Sequence, residues 1–576
     1  MFYQIFVLID GGLVFLFKSI FMKKISLIIV SFFAIIQLNA QESYKNGVVV
    51  TAHPEASKVG VEILKKGGNA IDASIAVQFA LAVVYPNAGN IGGGGFLVYR
   101  DSKGKTDALD YREKAPLKAT EDMYWDKNGN AITDLSLYGQ FAAGVPGTVD
   151  GMVKAHEKYG KLNWKELVQP AINLAQKGFK ITKQQASELT NKHNDFVKYN
   201  SKTNALTSKS SWKEGDLLVQ KDLANTLKLI QQKGRAGFYE GKTADLIVKE
   251  MKRGNGIISH EDLKQYQSVW RTPVSGNYKG LKVISMPPPS SGGIALVSLF
   301  QSIEDYPINK WGFQADSTIQ VMVEAERRVY ADRAEHLGDP DFIKVPQKQL
   351  LDKSYNVNRM KDFSFDKATP SSAIKAGEII GKESMETTHY VIVDKDGNAA
   401  SVTTTLNNSY GSLVVVEGAG FLLNDEMDDF SVKPGTPNLY GLVGGKANAI
   451  EPSKRMLSSM TPSILEKDGK LFMVVGTPGG STIITSVFQA ILNVVDFGMT
   501  MQEAVAAPRF HHQWLPDQID YEPNAISENV RESLKQKGYT LKERKPYGRV
   551  EGILVNTNGT YQAGADPRGD DKAVGY

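Results

Sequence analysis

One segment in the second half of the chain, residues 387–407, constrains the fold more than any other. Two runs rich in Thr, Val and Ile flank a turn that contains Asp396-Gly397. β-Branched residues favour strands, and an Asp-Gly pair between two such runs is a strong signal for a β-hairpin. We therefore predict two antiparallel strands joined by a tight loop.

The length of that loop decides which side chains meet across the hairpin. A three-residue loop pairs Asp394 with Asn398 and places Thr387 opposite Thr405. A two-residue loop shifts the register by one residue and places Thr387 opposite Leu406. With the first register, the turn alone brings two threonine hydroxyls together at the open end of the hairpin.

A threonine in such a position could act as a nucleophile if a base removed its proton. The α-amine of an N-terminal threonine is suitable, because its reference pKa of about 8 lies near neutrality. Thr387 is internal, so the bond between Glu386 and Thr387 would have to break first. The same hydroxyl could attack that bond and give an ester that water opens. Strand propensity alone also explains these threonines as ordinary sheet residues.

Helices and strands are mixed along the rest of the chain. Residues 70–84 are apolar on every side, which predicts a buried helix. An amphipathic helix is predicted at residues 55–66, ended by Gly67-Gly68. Further helices are predicted at 222–232 and 243–252, and strands at 96–99, 283–286 and 471–475.

The N-terminal 40 residues have the pattern of a secretory signal peptide. Lys23 and Lys24 precede the apolar run 25–38, and a small residue, Ala40, ends it. A membrane anchor is the alternative, but a spanning helix needs roughly 20 apolar residues. The simplest account starts translation at Met22. We expect removal of residues 1–40 and a periplasmic or secreted product without a membrane anchor.

The composition excludes several classes of function. The formal net charge is +4 without long basic runs, which argues against nucleic acid as a partner. There is no cysteine, so disulfides, thiolate metal sites and cysteine nucleophiles are absent from the chain. His511 and His512 are adjacent and would face opposite ways on a strand, a poor arrangement for one metal. We expect no metal and no cofactor.

The run that begins Thr387-Thr388-His389-Tyr390 resembles the start of the small subunit of γ-glutamyltransferases, which are N-terminal nucleophile hydrolases. The likeness extends from about Gly47 to Tyr576 and is carried by separate motifs in family order. These motifs are Asn90-Ile91-Gly92-Gly93-Gly94-Gly95, Asp110-Tyr111-Arg112-Glu113-Lys114-Ala115-Pro116, Gly144-Val145-Pro146-Gly147, Pro287-Pro288-Pro289-Ser290-Ser291-Gly292-Gly293, Glu426-Met427-Asp428-Asp429-Phe430, Leu457-Ser458-Ser459-Met460 and Gly476-Thr477-Pro478-Gly479-Gly480-Ser481.

The resemblance implies an α/β fold, an αββα sandwich built by two chains cut from one precursor. A large subunit would span residues 41–386 and a small catalytic subunit residues 387–576, paired as a heterodimer. The cleavage site would be Glu386–Thr387.

The resemblance also implies a catalytic group. Thr387 would be the nucleophile and, through its new amine, the base, and Thr405 matches the hydroxyl that positions it. Gly479 and Gly480 would direct backbone N–H groups at the developing oxyanion, where only glycine lets the backbone approach so closely.

The implied substrate is glutathione or another γ-glutamyl compound, which ends in a free amino acid with one positive and one negative charge. Arg112 matches the α-carboxylate anchor, because a guanidinium binds both carboxylate oxygens. Ser458 and Ser459 would add hydroxyl donors. Tyr440 resembles the tip of a lid loop over the pocket.

The α-ammonium of the substrate would contact Asn407, Glu426 and Asp429, where two acceptor charges are appropriate. The resulting γ-glutamyl ester on Thr387 would be resolved by water or by an amino acid or peptide acceptor. A related self-processing acylase is the nearest alternative, although a simple acyl chain needs no such charges. An inactive, unprocessed binding protein is the alternative from another class.

Overall fold

The computed structural model describes residues 43–374, 386–433 and 446–576. The chain divides into a short N-terminal unit that ends at Ser43 and a body formed by Tyr44–Tyr576, and the fold is that of the body. The predicted signal peptide and Tyr440 lie outside the described residues. Within the described ranges, no helix is long and apolar enough to span a membrane.

The helices match the apolar pattern of the sequence. The buried helix predicted at 70–84 is found at Ala70–Val84, and Asn69 and Asp72 form its N-terminal capping box. The α-helices are Pro54–Lys65, Ala70–Val84, Thr133–Leu137, Thr148–Tyr159, Trp164–Lys177, Lys183–Asn191, His193–Tyr199, Lys221–Lys233, Ala236–Tyr239, Gly241–Arg253, His260–Gln265, Gly292–Ile303, Ile308–Trp311, Asp316–His336, Gln347–Leu350, Lys353–Arg359, Thr482–Val495, Met501–Ala506 and Glu528–Gln536. Short 3-10 helices lie at Gln140–Ala142, Ala205–Thr207, Ser371–Ala373, Glu426–Asp429 and Lys446–Asn448.

Two large antiparallel sheets form the centre of the body. One sheet runs, in spatial order, Lys572–Gly575, Val48–Thr51, Glu386–Val393, Ala399–Asn407, Gly94–Arg100, Thr106–Asp110 and Val269–Arg271. The other includes, in spatial order, Tyr561–Ala565, Glu551–Val555, Lys470–Gly476, Ser463–Lys467, Leu281–Ser285 and Val274–Tyr278. Smaller strands lie at Ser43–Tyr44, Phe179–Lys180, Leu217–Leu218, Phe510–His511, Ile519–Tyr521 and Leu541–Glu543.

The two sheets pack face to face, and helices cover both outer faces. Pro54–Lys65 and Ala70–Val84 pack on the sheet that contains the predicted hairpin, whereas Gly292–Ile303 and Thr482–Val495 pack on the other sheet. The layer order is therefore helix, sheet, sheet, helix, which confirms the αββα sandwich.

The strand Glu386–Val393 lies in the middle of this sandwich. Tyr390 and Ile392 belong to the apolar cluster shared with the helices, while Val391 and Val393 belong to the cluster between the two sheets. Because successive side chains of a strand point to opposite faces, both faces of this strand are buried. Burial on both faces explains why the second half of this strand, residues 390–393, is a continuous apolar run.

The hairpin has the register of the three-residue loop. The N–H of Asp394 donates to the carbonyl of Asn398 at 3.0 Å, and the N–H of Gly397 donates to the carbonyl of Asp394 at 3.1 Å. Thr387 pairs with Thr405 in the ladder, directly after a bulge at Glu386. The two-residue loop, with Leu406 opposite Thr387, is excluded.

Candidate active site

Thr387 and Thr405 lie side by side at the open end of the inner hairpin. Both are buried, and Thr405 Oγ1 accepts a hydrogen bond from the N–H of Asn407 at 2.8 Å. Asn407 has a φ of 78°, an unusual backbone conformation for a residue other than glycine, and its Nδ2 donates to the carbonyl of Asp425 at 2.9 Å. The chain therefore turns sharply just after the strand, and this turn holds the Thr405 hydroxyl.

The glycine-rich motif at residues 90–95 contacts the strand Ala399–Asn407 at Thr405. Asn90 Nδ2 donates to the carbonyl of Thr405 at 2.8 Å, and its Oδ1 accepts from the N–H of Gly93 at 3.1 Å. A Cβ atom on Gly93 would lie 2.1 Å from the Thr405 carbonyl oxygen. Gly93 is therefore needed for this close backbone approach.

Two cavities meet at Thr387. The first is narrow, with a volume of about 10 Å³, and the residues that line it are Arg112, Thr387, Thr405, Asn407, Glu426, Asp429, Ser458, Ser459, Met460, Gly480 and Ile483. The second, of about 400 Å³, is lined by Thr387 and Gly479 together with Tyr85, Glu188 and Tyr547 among others. Thr387 therefore faces a narrow charged cavity on one side and a larger cavity on the other.

Arg112 forms the centre of a buried ionic cluster beside Thr387. Its guanidinium donates to the carboxylates of Glu426 and Asp429, and it lies 3.6 Å from Glu113. All four side chains are buried. One positive charge thus faces three acidic groups, an arrangement that favours a further positive charge nearby.

Burial changes the pKa of each acidic group in this cluster. It raises the pKa of Glu113 to about 8, although the nearby Arg112 opposes the change. Burial likewise raises the pKa of Glu426 and of Asp429, again against the effect of Arg112. For Arg112, burial would lower the pKa, but the charges of its acidic neighbours raise it. Arg112 therefore stays charged.

Asn424 fixes the short helix that carries two of these acids. Its Oδ1 accepts from the N–H of Glu426 at 3.0 Å and from the N–H of Gly144 at 2.9 Å. Its Nδ2 donates to the carbonyls of Gly92 and Gly144 at 2.8 and 2.9 Å. Asn424 thereby links the motifs that contain Gly92 and Gly144 to the short helix that carries Glu426.

Ser458 and Ser459 are held by the motif at residues 287–293. The N–H of Ser458 donates to the carbonyl of Pro289 at 3.0 Å, and its own carbonyl accepts from the N–H of Ser291 at 2.7 Å. The hydroxyl of Ser290 donates to the carbonyl of Met460 at 2.6 Å. Ser458 and Ser459 line the narrow cavity. The backbone of Ser458 is held by its bridge to Ser290.

Gly479 and Gly480 form a turn directly before the helix Thr482–Val495. Their φ values are 136° and 58°, conformations that favour glycine. Their carbonyls accept from the N–H groups of Thr482 and Ile483, both at 3.1 Å, whereas neither glycine N–H donates to a residue within the described ranges. A helix N-terminus attracts negative charge, so this turn suits a developing oxyanion.

The predicted site residues thus come together in one place, with two exceptions. Tyr440 and the side chain of Glu386 are outside the described residues, so their positions stay predictions. In the part of the chain that the structure describes, no group of three or more His, Cys, Asp or Glu side chains could hold a metal ion.

Sequence reasoning missed four side chains that build this site. Asn90 and Glu113 lie inside recognised motifs, and Asn424 lies two residues before Glu426, so proximity was an available signal. Arg333, which contacts Ser459, lies in the long helix Asp316–His336 and in no such motif. Its partner Ser459 is 126 positions away in the sequence, and no motif around Arg333 indicated a role in the site.

Comparison with known proteins agrees with this architecture. A family model described as Gamma-glutamyltranspeptidase matches residues 56–576. The Glutathione hydrolase proenzyme of Escherichia coli K12 is 46% identical over 535 residues, which cover 92% of each chain. The crystal structure of a cephalosporin acylase from Bacillus halodurans has a TM-score of 0.82 at 26% identity, covering 93% of this chain and 97% of that one. The gamma-glutamyltranspeptidase of Helicobacter pylori has a TM-score of 0.56 at 46% identity, covering 59% of this chain and 97% of that one.

The αββα sandwich, with a threonine at the start of an inner strand, defines the class of N-terminal nucleophile hydrolases. The two similar structures are named as an acylase and as a transpeptidase. The chain belongs to the gamma-glutamyltranspeptidase family.

Proposed function

We propose that this chain is a self-processing γ-glutamyl hydrolase and transferase that acts on glutathione and related γ-glutamyl compounds. The observation that carries the proposal is the position of Thr387 between a narrow charged cavity and a larger one. The family and the name of the Escherichia coli relative support glutathione as a substrate.

The first reaction is cleavage of the chain between Glu386 and Thr387. The Thr387 hydroxyl attacks the Glu386 carbonyl carbon, the peptide C–N bond breaks, and the nitrogen takes the hydroxyl proton. Water then hydrolyses the ester, so that Glu386 gains a carboxylate and Thr387 gains a free α-amine. That amine is a base of suitable strength near neutral pH. A large subunit that ends at Glu386 and a small subunit that begins at Thr387 would stay together as a heterodimer.

The second reaction uses the new amine. It accepts the Thr387 hydroxyl proton while Oγ1 bonds to the γ-carbonyl carbon of the substrate. Thr405 orients the hydroxyl, and the N–H groups of Gly479 and Gly480 stabilise the oxyanion. The amine proton passes to the leaving nitrogen as the amide bond breaks. Water then releases glutamate, or the amine of an amino acid or peptide takes the γ-glutamyl group.

Recognition of the γ-glutamyl group requires an exchange of ion pairs. The narrow cavity holds only about 10 Å³ while Arg112 is paired with Glu426 and Asp429. A bound α-carboxylate would take a place on the guanidinium of Arg112, next to Ser458 and Ser459. The acidic groups released would bind the α-ammonium together with Asn407. Each internal charge thus keeps a partner, which limits the cost of desolvation.

The larger cavity suits the remainder of the substrate and the acceptor. Its volume of about 400 Å³ is in the range of small-molecule pockets. Tyr440 would lie in a lid over the site, as the family resemblance implies. We also propose export through the segment that ends at Ala40, which would place the mature protein in the periplasm or outside the cell.

The test is the intact mass and N-terminal sequence of the purified protein, followed by hydrolysis of γ-L-glutamyl-p-nitroanilide. We expect two chains, with the smaller beginning at Thr387, and release of nitroaniline. Thr387→Ala should leave the chain uncut and inactive. Thr388→Val is the matched control, because the buried Thr388 Oγ1 has no hydrogen-bond partner in the described structure and a valine of equal shape should be tolerated.

Glutaryl-p-nitroanilide separates this proposal from a general acylase, because it lacks only the α-ammonium. A γ-glutamyl enzyme should prefer the γ-glutamyl anilide strongly. Equal rates on both anilides would favour an acylase of different specificity. A single uncut chain that binds γ-glutamyl compounds without hydrolysing them would favour a binding protein.

A further inference from the structure

Arg333 lies behind the two serines of the narrow cavity. It comes from the helix Asp316–His336, and only 6% of its surface is exposed. Its Nε donates to the hydroxyl of Ser291 at 2.8 Å, and its Nη2 donates to the hydroxyl of Ser459 at 3.0 Å. One buried guanidinium thus contacts two hydroxyl groups at the wall of the site.

The Arg333 charge lies in a buried position, where the groups around it determine its pKa. Burial lowers the pKa of Arg333 to about 10, while Tyr330 and the carboxylate of Asp429 oppose the change. The side chain is therefore still protonated at neutral pH. The carboxylate of Asp429, which belongs to the ionic cluster of the site, is thus close enough to Arg333 to affect its pKa.

The contact with Arg333 determines how the Ser459 hydroxyl can be used. A hydroxyl has one donor hydrogen and two acceptor positions. Because Ser459 Oγ accepts from Arg333, its O–H hydrogen points elsewhere, and no described residue accepts it. Ser459 also lines the narrow cavity. The hydroxyl can thus donate its hydrogen to a ligand in this cavity, and hydrogen bonding to a cation makes it a stronger donor.

The second contact of Arg333 reaches the neighbouring serine indirectly. Ser291 Oγ accepts from Arg333 and donates to the carbonyl of Ser458 at 2.7 Å. The backbone N–H of Ser291 donates to the same carbonyl at 2.7 Å. Arg333 therefore fixes both residues of the Ser458-Ser459 pair, one through its hydroxyl and the other through its backbone.

The charges of the site favour a second cation beside a carboxylate ligand. The single positive charge of Arg112 is already paired with Glu426 and Asp429, while Glu113, whose pKa burial raises to about 8, is mostly protonated at neutral pH. A ligand carboxylate that approached Arg112 alone would meet an excess of negative charge. Arg333 supplies positive charge next to Ser459, which lines the same cavity.

We propose that Arg333 is a positioning residue that determines specificity for the α-carboxylate of the γ-glutamyl group, acting through the Ser459 hydroxyl. This inference rests on the proposed function. Arg333 would contribute to binding of the α-carboxylate and would take no part in cleavage of the γ-glutamyl amide. Loss of Arg333 should therefore weaken binding of substrates that carry the α-carboxylate and leave kcat and self-cleavage largely intact.

The experiment compares two substrates that differ only in this group. γ-L-Glutamyl-p-nitroanilide carries the α-carboxylate, whereas 4-aminobutyryl-p-nitroanilide has the same γ-amide and amine without it. In Arg333→Gln, we expect kcat/KM for the γ-glutamyl anilide to fall about 10- to 100-fold, mainly through KM, as for loss of a charged hydrogen-bond partner. The value for the 4-aminobutyryl anilide should change by less than about threefold. The ratio of the two values is the readout.

Arg333→Lys is the second variant, because it keeps the charge but cannot hold both serine hydroxyls in the fork of a guanidinium. We expect its ratio to fall about 3- to 10-fold. Arg328→Lys is the matched control. Arg328 lies on the same helix and is also buried, but it pairs with Glu324 and Asp362, and it lines neither cavity at Thr387. Its ratio should equal that of the unchanged protein.

An unchanged ratio in Arg333→Gln overturns the inference. If that variant does not self-cleave, an unchanged ratio in Arg333→Lys overturns it instead. Equal losses on both substrates would also overturn it, because they indicate a purely structural role. If the unchanged protein hydrolyses neither anilide, the proposed function fails, and that outcome is distinct from all of these.

Discussion

Thr387 and Thr405 are direct partners across the inner hairpin, and a turn at Asp396-Gly397 joins their strands. The pair lies at the end of the ladder where the chain bulges at Glu386. Thr405 Oγ1 is itself held by the N–H of Asn407 at 2.8 Å. The positions of the proposed nucleophile and its neighbour are therefore fixed by local backbone geometry.

This pairing predicts that Thr405 contributes through its hydroxyl. Thr405→Val should slow both self-cleavage and anilide hydrolysis by about 10- to 100-fold, as for loss of a hydrogen bond to a reacting group. Thr405→Ser retains the hydroxyl and should stay within about fivefold of the unchanged protein. Timed denaturing gels report the cleavage, and initial rates report kcat. Equal activity of the two variants would contradict the hydroxyl role.

The ionic cluster predicts a large loss of stability when Arg112 is removed alone. Arg112→Gln leaves the buried carboxylates of Glu426 and Asp429 without their cation, which should cost about 3–5 kcal/mol. Adding Glu426→Gln should recover part of that loss, because one stranded charge disappears. Denaturant unfolding of the uncut Thr387→Ala chain measures both changes. If the double variant is less stable than Arg112→Gln, the ion pair is not the cause of the loss.

The hairpin was predictable because everything that determines it is local. The Asp396-Gly397 turn and the β-branched runs all lie within 387–407 and predict the hairpin. They left two loop lengths open, and the structure has the three-residue loop with Thr387 opposite Thr405. The buried helix Ala70–Val84 was predictable for the same reason, since its residues are apolar on every side. The assembly of two sheets and two helical layers came from family resemblance and not from local pattern.

The ionic contacts of the site were not predictable from local sequence. Arg112 and Glu426 are 314 positions apart, and the resemblance assigned them to the α-carboxylate and the α-ammonium of the ligand. The structure adds that they bind each other directly. Arg333 gave no signal because the helix Asp316–His336 has a polar sequence although most of it is buried. A charged residue in such a helix can be identified as part of a site only when its partners are seen.

The turn before the helix Thr482–Val495 predicts a specific effect of adding a side chain. Gly479 has a φ of 136°, and a Cβ there would lie 2.7 Å from Thr482 Oγ1. Gly479→Ala should displace the backbone N–H groups and lower kcat by about 100- to 1,000-fold, as for loss of an oxyanion donor. Gly469→Ala is the control. Its φ is also positive, at 74°, but no atom lies within 4 Å of the added Cβ.

Kinetics on γ-L-glutamyl-p-nitroanilide check this comparison. Gly469→Ala should lower stability by about 1 kcal/mol through backbone strain and leave kcat unchanged. A similar kcat in both variants would show that the position of the Gly479 backbone is unimportant for the reaction.

Four buried histidines, His53, His389, His511 and His512, make the stability of the fold sensitive to acid. Burial lowers the pKa of His389 to about 3 and that of His511 to about 3. It also lowers the pKa of His512 to about 4, where Arg327 acts in the same direction and Asp517 opposes it. The ordinary value is 6.5. Between that value and about 4, the unfolded chain binds protons that the folded chain does not, so the free energy of unfolding falls as the pH falls.

His389 allows this linkage to be measured at one position. Its Nδ1 lies 2.8 Å from Thr403 Oγ1, and asparagine can keep that hydrogen bond without titrating. Two uncut chains are compared, Thr387→Ala alone and Thr387→Ala with His389→Asn. As the pH falls below 6.5, the chain with His389→Asn should become more stable relative to the other, by up to about 1.4 kcal/mol of unfolding free energy per pH unit. Glu113, with its pKa raised to about 8 by burial, has the opposite sign, since its contribution is lost as the pH rises. Because Glu113 is present in both chains, it cancels from the difference.

A difference that does not vary with pH would contradict the lowered pKa, because His389 would then bind its proton equally well in the folded and the unfolded chain.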